Sequence, residues 1–175
     1  MEQGHALEVL LTEEEIADKV SFLGEQISRD YAGSGELVLV AVLRGSVYFA
    51  VDLSRCLAIP FVLDFIGISS YAAKTDPLGI VRITKDLDTN IASKNVLLVE
   101  DIVDTGLTLN YLLKNLRTRK PLSLRVCALL DMPARRIVNV PVDYRGFEMP
   151  DVYVVGYGLD YQERYRNLKE IAVLK

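Results

Sequence analysis

Apolar residues recur at helical spacing near the start of the chain and then form a short continuous run. Thr12 and Glu15 have the spacing of a capping box, and the apolar positions that follow predict a helix over about 12–31. The run from Leu37 to Leu43 is apolar and rich in β-branched residues, which is typical of a strand buried on both faces. A second helical pattern extends from Ser46 to about Leu57. This part of the chain therefore predicts a helix, a strand and a helix.

The alternation of strands and helices continues through the middle of the chain. A helical pattern lies over Leu109 to Leu116, and the polar segment from Ala72 to Leu78 predicts a mobile loop. Four more segments have strand patterns: Phe61 to Ser70, Ile80 to Thr84, Asn95 to Glu100 and Pro121 to Leu130. The alternation predicts an α/β fold with an open, mainly parallel sheet flanked by helices on both faces. Ligands of such sheets bind beyond the carboxyl ends of the strands.

After Pro133 the pattern becomes irregular, which predicts a small hood subdomain over the sheet. Val152 to Val155 and Ile171 to Leu174 are its strand candidates. We expect a single domain over residues 1–175, with a core over about 33–135 and a hood built from the N-terminal segment and about 136–175. A chain of 175 residues can bury roughly 70 % of the surface that its unfolded form exposes, so it needs no disulfide or structural metal.

Several features that the sequence lacks exclude classes of function. The net charge is −4 and no run of Lys or Arg occurs, which argues against nucleic-acid and membrane partners. No apolar run has the length of a membrane span and the first residues lack a secretory pattern, so we expect a cytoplasmic protein. Cys56 and Cys127 lie far apart, which predicts two reduced thiols. His5 is the only histidine, so we expect any general base to be a carboxylate, Lys or Tyr.

The segment NVLLVEDIVDTGLTL, residues 95–109, has the strongest chemical pattern. Glu100, Asp101 and Asp104 follow a buried strand, and like charges so close are costly unless a cation or polar ligand compensates them. Residues 104–108 then open a helix with two hydroxyls, one Gly and unpaired N–H groups, which favours an anion such as phosphate. The simpler alternative is that Asp104 or Thr105 only caps the helix. The sequence has no Walker A string, and no G-x-G-x-x-G follows the first strand.

The string VEDIVDTGLT resembles the phosphoribosyl-diphosphate signature of type I phosphoribosyltransferases. Four further segments resemble the hypoxanthine/guanine branch of that family: VLRGS, DFIGISSY, LLDMPARR and VYVVGYGLDYQERYRNL. The resemblance covers nearly the whole chain, from about Thr12 to Leu174. It implies a magnesium-dependent purine salvage enzyme that converts hypoxanthine or guanine and phosphoribosyl diphosphate into a nucleoside monophosphate and diphosphate. Its partners would be these small molecules, and it would be a homo-oligomer, either a dimer or a tetramer.

The resemblance assigns the central segment to the sugar phosphate and its magnesium ion. Asp104 would be the catalytic base that takes the purine ring proton. Glu100 and Asp101 would contact the ribose hydroxyls and Mg²⁺, and Asp160 would be the second contact to the metal. Three residues would hold the 5′-phosphate: Thr105, Gly106 and Thr108.

Two other matched segments would hold the diphosphate and cover the reacting centre. The turn that contains Arg44 and Gly45 matches a diphosphate loop, which in this family has a non-proline cis peptide. Arg166 matches the arginine that binds diphosphate. Ser70 and Tyr71 match the start of the flexible loop that closes over the site and excludes water.

The purine would lie in a pocket where this sequence departs from the family. Tyr153 would stack on the base and the Val154 backbone would read its ring edge. Met132 stands where the family places a Lys that donates to the six-position oxygen, and a thioether has no proton to donate. Three alternatives follow: a substitute donor in Arg135 or Arg136, a bridging water, or a preference for adenine.

Two alternatives outside this enzyme class also fit parts of the sequence. A regulator that binds phosphoribosyl diphosphate or nucleotides without catalysis would share the fold. A receiver-like domain would use the clustered acids for magnesium and phosphorylation, but it gives no reason for the loop from Thr105 to Thr108.

Overall fold

The computed structural model describes residues 6–71 and 80–175, apart from the side chains of residues 70, 71, 80 and 81. The described strands are β1 (Leu7–Leu11), β2 (Leu37–Leu43), β3 (Phe61–Tyr71), β4 (Ile80–Lys85), β5 (Asn95–Val103), β6 (Ser123–Asp131), β7 (Tyr144–Glu148), β8 (Val154–Val155) and β9 (Ile171–Leu174). The described helices are α1 (Glu13–Asp30), α2 (Val47–Cys56) and α3 (Leu107–Thr118), with a 3-10 turn at Pro133–Arg135. His5 and the segment predicted as a mobile loop lie outside the described residues.

The described strands form a main sheet and a smaller one. The main sheet has the order β4-β3-β2-β5-β6-β7, in which β4 is antiparallel to β3 and the other neighbours are parallel. The smaller sheet has the antiparallel order β1-β9-β8 and forms the hood. The predicted α/β fold with an open, mainly parallel sheet is therefore confirmed.

The two faces of the main sheet are covered by different helices. Thr12 and Glu15 make the predicted capping box at the start of α1. The odd-numbered side chains Leu37 and Leu39 of β2 share a buried cluster with α1 and α2, whereas Val38 shares another with α3. Because successive side chains of a strand point to opposite faces, an entirely apolar β2 fits a sheet that is covered on both sides.

The strand β7 was not predicted, and it lies in the main sheet rather than in the hood. It pairs in parallel with β6, Cys127 with Tyr144 and Asp131 with Glu148. The segment YRGFE has a glycine and two charged residues in five positions, so its local pattern is weak. Tyr144 is nevertheless 2 % exposed, and its hydroxyl donates to Asp30 Oδ2 of α1 at 2.8 Å. Long-range packing positions this strand.

The carboxyl ends of the parallel strands leave an opening between β2 and β5. The register pairs β2 with β3 as far as Leu43, but it pairs β2 with β5 only as far as Val99. Beyond Val99, β5 continues alongside β6 to Val103 and leaves its other edge open. None of the helices in the described ranges is long and apolar enough to cross a membrane. Cys56 and Cys127 are both free thiols, as predicted.

Candidate active site

A cleft of about 780 Å³ lies at the carboxyl ends of the main strands, under the hood. Most of the predicted site residues line this one cleft, although they come from separate parts of the chain. They are Arg44, Gly45, Glu100, Asp101, Asp104, Gly106, Thr108, Met132, Tyr153, Val154, Asp160 and Arg166. A cleft in this position is where an open α/β sheet binds its ligands.

Three of the predicted site residues are not among those that line the cleft in the described structure. Thr105 does not line it; the Oγ1 atom of Thr105 instead accepts a bond from the Leu107 N–H at 3.4 Å. Ser70 and Tyr71 end β3, and their side chains lie outside the described residues. The proposed closing role of that loop stays a prediction.

Glu100 and Asp101 both line the cleft, although the strand does not turn between them. Both reach the cleft where the edge of β5 is open. Burial, together with the charges of Asp101 and Asp104, raises the pKa of Glu100 well above its usual value. Burial raises the pKa of Asp101 to about 6, although the Ile102 N–H and Arg166 act in the opposite direction. Without a ligand, this pair of neighbouring carboxyl groups is therefore electrostatically costly.

The helix α3 begins at a loop that suits an anion. Its N-cap is Gly106, which has a φ of 80°. The capping alternative accounts for Thr105, whose Oγ1 accepts the Leu107 N–H, but it does not account for the three acidic residues. A Cβ on Gly106 would overlap the carbonyl oxygen of Val138, so both the backbone conformation and the space require glycine. Gly106 and Thr108 line the cleft, so the positive end of the α3 dipole lies beside it.

The turn after β2 packs closely on both of its sides. The peptide bond between Leu43 and Arg44 is cis, as the family resemblance implies. A Cβ on Gly45 would overlap the carboxylate of Asp101, and a Cβ on Gly158 would overlap the carbonyl oxygen of Gly45. The turn is thus held between the end of β5 and the hood, and neither glycine position has room for a side chain.

Two arginines at this end of the cleft share an acidic partner. Glu163 accepts from Arg44 Nη2 at 2.8 Å and from Arg166 Nη2 at 3.4 Å. Arg166 also donates to the Gly158 carbonyl oxygen at 2.7 Å and pairs with Asp160 Oδ1 at 2.7 Å. Carboxylates of the hood therefore position the two guanidinium groups, which we call the arginine pair.

Met132, which is 1 % exposed, and Tyr153, which is 49 % exposed, also line the cleft. The Tyr153 hydroxyl donates to the Asp160 carbonyl oxygen at 3.0 Å. Of the two arginines considered as substitute donors, Arg135 lines the cleft and Arg136 does not. Arg135 pairs with the carboxylate of Asp151, which is 61 % exposed.

Sequence reasoning missed Glu163 and Lys85. Lys85 lines the cleft opposite Gly67, and its Nζ donates to the Phe65 carbonyl oxygen at 3.1 Å and to Asp88 Oδ2 at 3.0 Å. A basic residue directly after the predicted strand that ends at Thr84 was the available signal for Lys85. Glu163 had no local signal, because its partner Arg44 is 119 positions away.

Comparisons with known proteins identify one family. The phosphoribosyl transferase domain family matches residues 7–162. The hypoxanthine-guanine phosphoribosyltransferase of Mycobacterium tuberculosis is 49 % identical over 176 residues, which cover 98 % of this chain and 87 % of that protein. The hypoxanthine phosphoribosyltransferase of Escherichia coli is 48 % identical over 168 residues, covering 95 % and 94 %. A crystal structure of the Bacillus anthracis hypoxanthine-guanine phosphoribosyltransferase has a TM-score of 0.93 at 45 % identity, covering 98 % of this chain and 100 % of that one.

Proposed function

Since the chain belongs to the phosphoribosyltransferase family, in its hypoxanthine/guanine branch, we propose that its cleft binds phosphoribosyl diphosphate and a purine side by side, with Asp104 as the general base. The enzyme is a purine salvage phosphoribosyltransferase. It joins a phosphoribosyl group to hypoxanthine or guanine and releases diphosphate. The relatives support this substrate class, and they give no support to an adenine-specific enzyme or to a regulator without catalysis.

One observation carries the assignment of the site: the acidic groups of the cleft lie between the start of α3 and the arginine pair. Asp104 and Asp101 both act electrostatically on Glu100, and Asp101 lies within the influence of Arg166. The anion-binding start of α3 adjoins Asp104, and the arginine pair lies towards the hood. This order matches a ligand with a phosphate at one end, hydroxyl groups in the middle and a diphosphate at the other end.

The reaction forms the bond between the purine nitrogen and the ribose C1′ while the bond from C1′ to the diphosphate oxygen breaks. The electron pair of the breaking bond leaves with the diphosphate, which Arg44 and Arg166 would receive. Asp104 would accept the proton that the purine nitrogen loses. The hood and the walls of the cleft would exclude water, which could otherwise capture the cationic sugar of the transition state.

We propose that Glu100 and Asp101 hold Mg²⁺ together with oxygens of the substrate. In the described part of the chain, no three His, Cys, Asp or Glu side chains are grouped to hold a metal by themselves. Magnesium is usually bound by one or two carboxylates plus substrate oxygens, so the two carboxyl groups fit it. When bound, the ion supplies positive charge that neutralises the leaving diphosphate. Asp160 stays the proposed second contact, and there the ion would compete with Arg166.

A panel of purine bases tests the function. The purified protein, with Mg²⁺ and phosphoribosyl diphosphate, is expected to form nucleoside monophosphates from hypoxanthine and guanine and to turn over adenine poorly. The measurement is kcat/KM for each base, followed by chromatography of the products. Turnover of adenine alone would reverse the base assignment. Tight ligand binding with no product from any base would indicate the regulator.

Met132→Lys is expected to increase the preference for hypoxanthine over adenine. Met132 is buried in the wall of the cleft, and an ammonium group there can donate to a six-position oxygen but not to a six-position amino group. A charge-assisted hydrogen bond of about 1.5 to 3 kcal/mol corresponds to a selectivity change of roughly 10- to 100-fold. Met132→Leu is the matched control, because it keeps the apolar volume. Equal selectivity ratios for the two variants would mean that position 132 does not contact the six-position group.

We also propose that the protein self-associates. Tyr48 on α2 is 43 % exposed beside a second cavity of about 350 Å³, which has Ile16 and Val20 of α1 in its wall. Exposed aromatic surface next to an apolar cavity favours association. The number of subunits, two or four, stays a prediction.

A further inference from the structure

Arg136 contacts the loop that carries Asp104 without lining the cleft. The Nε atom of Arg136 donates to the Asp104 carbonyl oxygen at 2.9 Å, and the Nη2 atom donates to the Val103 carbonyl oxygen at 3.3 Å. The same Nη2 atom donates to Oδ1 of Asp131. The Arg136 side chain is only 15 % exposed, so solvent screens these bonds weakly. One guanidinium group thus ties the ends of β5 and β6 to the backbone of residue 104.

The peptide unit between Asp104 and Thr105 is held at both ends. Its carbonyl oxygen accepts from Arg136, and its N–H donates to Asp104 Oδ1 at 2.6 Å. Since a peptide unit is planar, fixing the carbonyl also fixes the direction of the N–H. The N–H in turn selects the carboxyl oxygen of Asp104 that it binds, which leaves the other oxygen to act as an acceptor. The orientation of the carboxylate is therefore coupled to Arg136.

The anchor of Arg136 is itself rigid. The side chain of Asp131 is 2 % exposed and also pairs with Arg145 Nε of β7 at 2.7 Å. The chain beyond Arg136 supports the same loop, because the N–H groups of Ile137 and Val138 donate to the Thr105 carbonyl oxygen at 2.9 and 3.1 Å. Arg145 shares the anchor, but its other ion-pair partner is Glu148 of its own strand, so the two arginines can be compared directly.

We propose that Arg136 is a positioning residue, which holds the carboxylate of Asp104 in the orientation that accepts the purine proton. The inference rests on the proposed role of Asp104 as general base. Displacement of a catalytic group by about 1 Å can cost roughly 100-fold in rate. The role differs from that of a substitute donor to the base, because the Nε and Nη2 atoms of Arg136 donate to two backbone carbonyl oxygens and to Asp131, and Arg136 does not line the cleft.

The test compares Arg136→Gln with Arg145→Gln. Both variants remove one of the two cationic partners of Asp131, so the loss of that ion pair is common to both. Only Arg136→Gln releases the Asp104 carbonyl, and we expect its kcat to fall by about 10- to 100-fold with a smaller change in KM. Arg145→Gln is expected to keep kcat within about twofold. Arg136→Lys should keep the charge beside Asp131 but lose one of the carbonyl contacts, which places its kcat between those of wild type and Arg136→Gln.

A double-mutant cycle with Asp104→Asn distinguishes positioning from general loosening. If Arg136 acts through Asp104, adding Arg136→Gln to Asp104→Asn should lower kcat no further. Equal losses of kcat in Arg136→Gln and Arg145→Gln, or an undiminished Arg136 effect in the Asp104→Asn background, would overturn the positioning role. Unchanged turnover of Asp104→Asn alone would instead overturn the base assignment, and the positioning role with it. Should Arg136→Gln not fold, the same comparisons apply to Arg136→Lys.

Discussion

Asp104→Asn is expected to lower kcat by about 10²- to 10⁴-fold, because the variant lacks the carboxylate that we propose as acceptor of the purine proton. The substitution is conservative for the fold. The amide oxygen of asparagine can still accept the Thr105 N–H, which Asp104 Oδ1 binds at 2.6 Å. The dissociation constant for phosphoribosyl diphosphate should stay within about threefold of wild type, since the proton is transferred only during the reaction. Single-turnover kinetics and a binding titration measure the two quantities.

Asp86→Asn provides a matched control for this experiment. Asp86 Oδ1 also accepts from the N–H of the following residue, Leu87, at 2.8 Å, but Asp86 does not line the cleft. Its kcat should equal that of wild type. If Asp104→Asn retained normal turnover, the general base would have to be another group of the cleft, and Glu100 would be the next candidate.

Asp101→Asn is expected to have opposite effects on stability and activity. The pKa of Asp101 is about 6 in the folded protein, whereas the ordinary value is 3.8. Above both values the ionised carboxyl group destabilises the ligand-free fold by about 3 kcal/mol, which the amide would remove. Activity should fall by about 10²-fold or more, because a proposed ligand of Mg²⁺ is lost. The carboxyl group that destabilises the fold would thus be the one that binds the cation and the sugar.

The pH dependence of the free energy of unfolding shows whether the Asp101 carboxylate stabilises or destabilises the fold. Because the folded state holds its Asp101 proton more tightly than the unfolded state does, the stability due to this group is lost as the pH rises from about 4 to about 6. Wild type and Asp101→Asn should therefore have similar free energies of unfolding below about pH 4 and differ most above about pH 6. Urea unfolding across this range, without Mg²⁺, measures the difference.

Asp64→Asn is a control for which the opposite change in stability is expected. Burial would raise the pKa of Asp64, but hydrogen bonds from the Thr89 and Phe65 N–H groups, at 2.7 Å each, lower it overall. Asp64→Asn should therefore destabilise the protein above about pH 4. If Asp101→Asn were destabilising as well, the carboxyl group would be better compensated in the ligand-free fold than its burial indicates.

The sequence was sufficient to predict those helices and strands whose local pattern agrees with their packing in the fold. The helix α1 has a capping box and an apolar face, and the apolar run Leu37 to Leu43 became β2 within the same limits. The strand β5 is longer than its predicted end at Glu100, because pairing with β6 continues to Val103 although the residues become acidic. The strand β7 was missed because it is stabilised by partners remote in sequence, whereas its own composition gives no strand pattern.

The candidate site likewise has a part that the sequence could predict and a part that it could not. The segment from Glu100 to Thr108 contains the acidic residues of the cleft and the start of α3 in continuous sequence, so a local motif was enough to identify it. The bridge that Glu163 makes between two arginines exists only in the folded chain. The engagement of Arg136 with two carbonyl oxygens was equally invisible, since backbone acceptors carry no sequence signal.

The close packing of Gly158 on Gly45, and of Gly45 on Asp101, has a consequence for enzyme engineering. At that end of the cleft two glycine positions have no room for a side chain, so the proposed diphosphate site could be enlarged there only by moving the backbone. Elsewhere the wall is made of side chains such as Met132 and Tyr153, which can be exchanged singly. Under the proposed assignment, point mutation would change the base specificity of this scaffold more readily than the size of its leaving group.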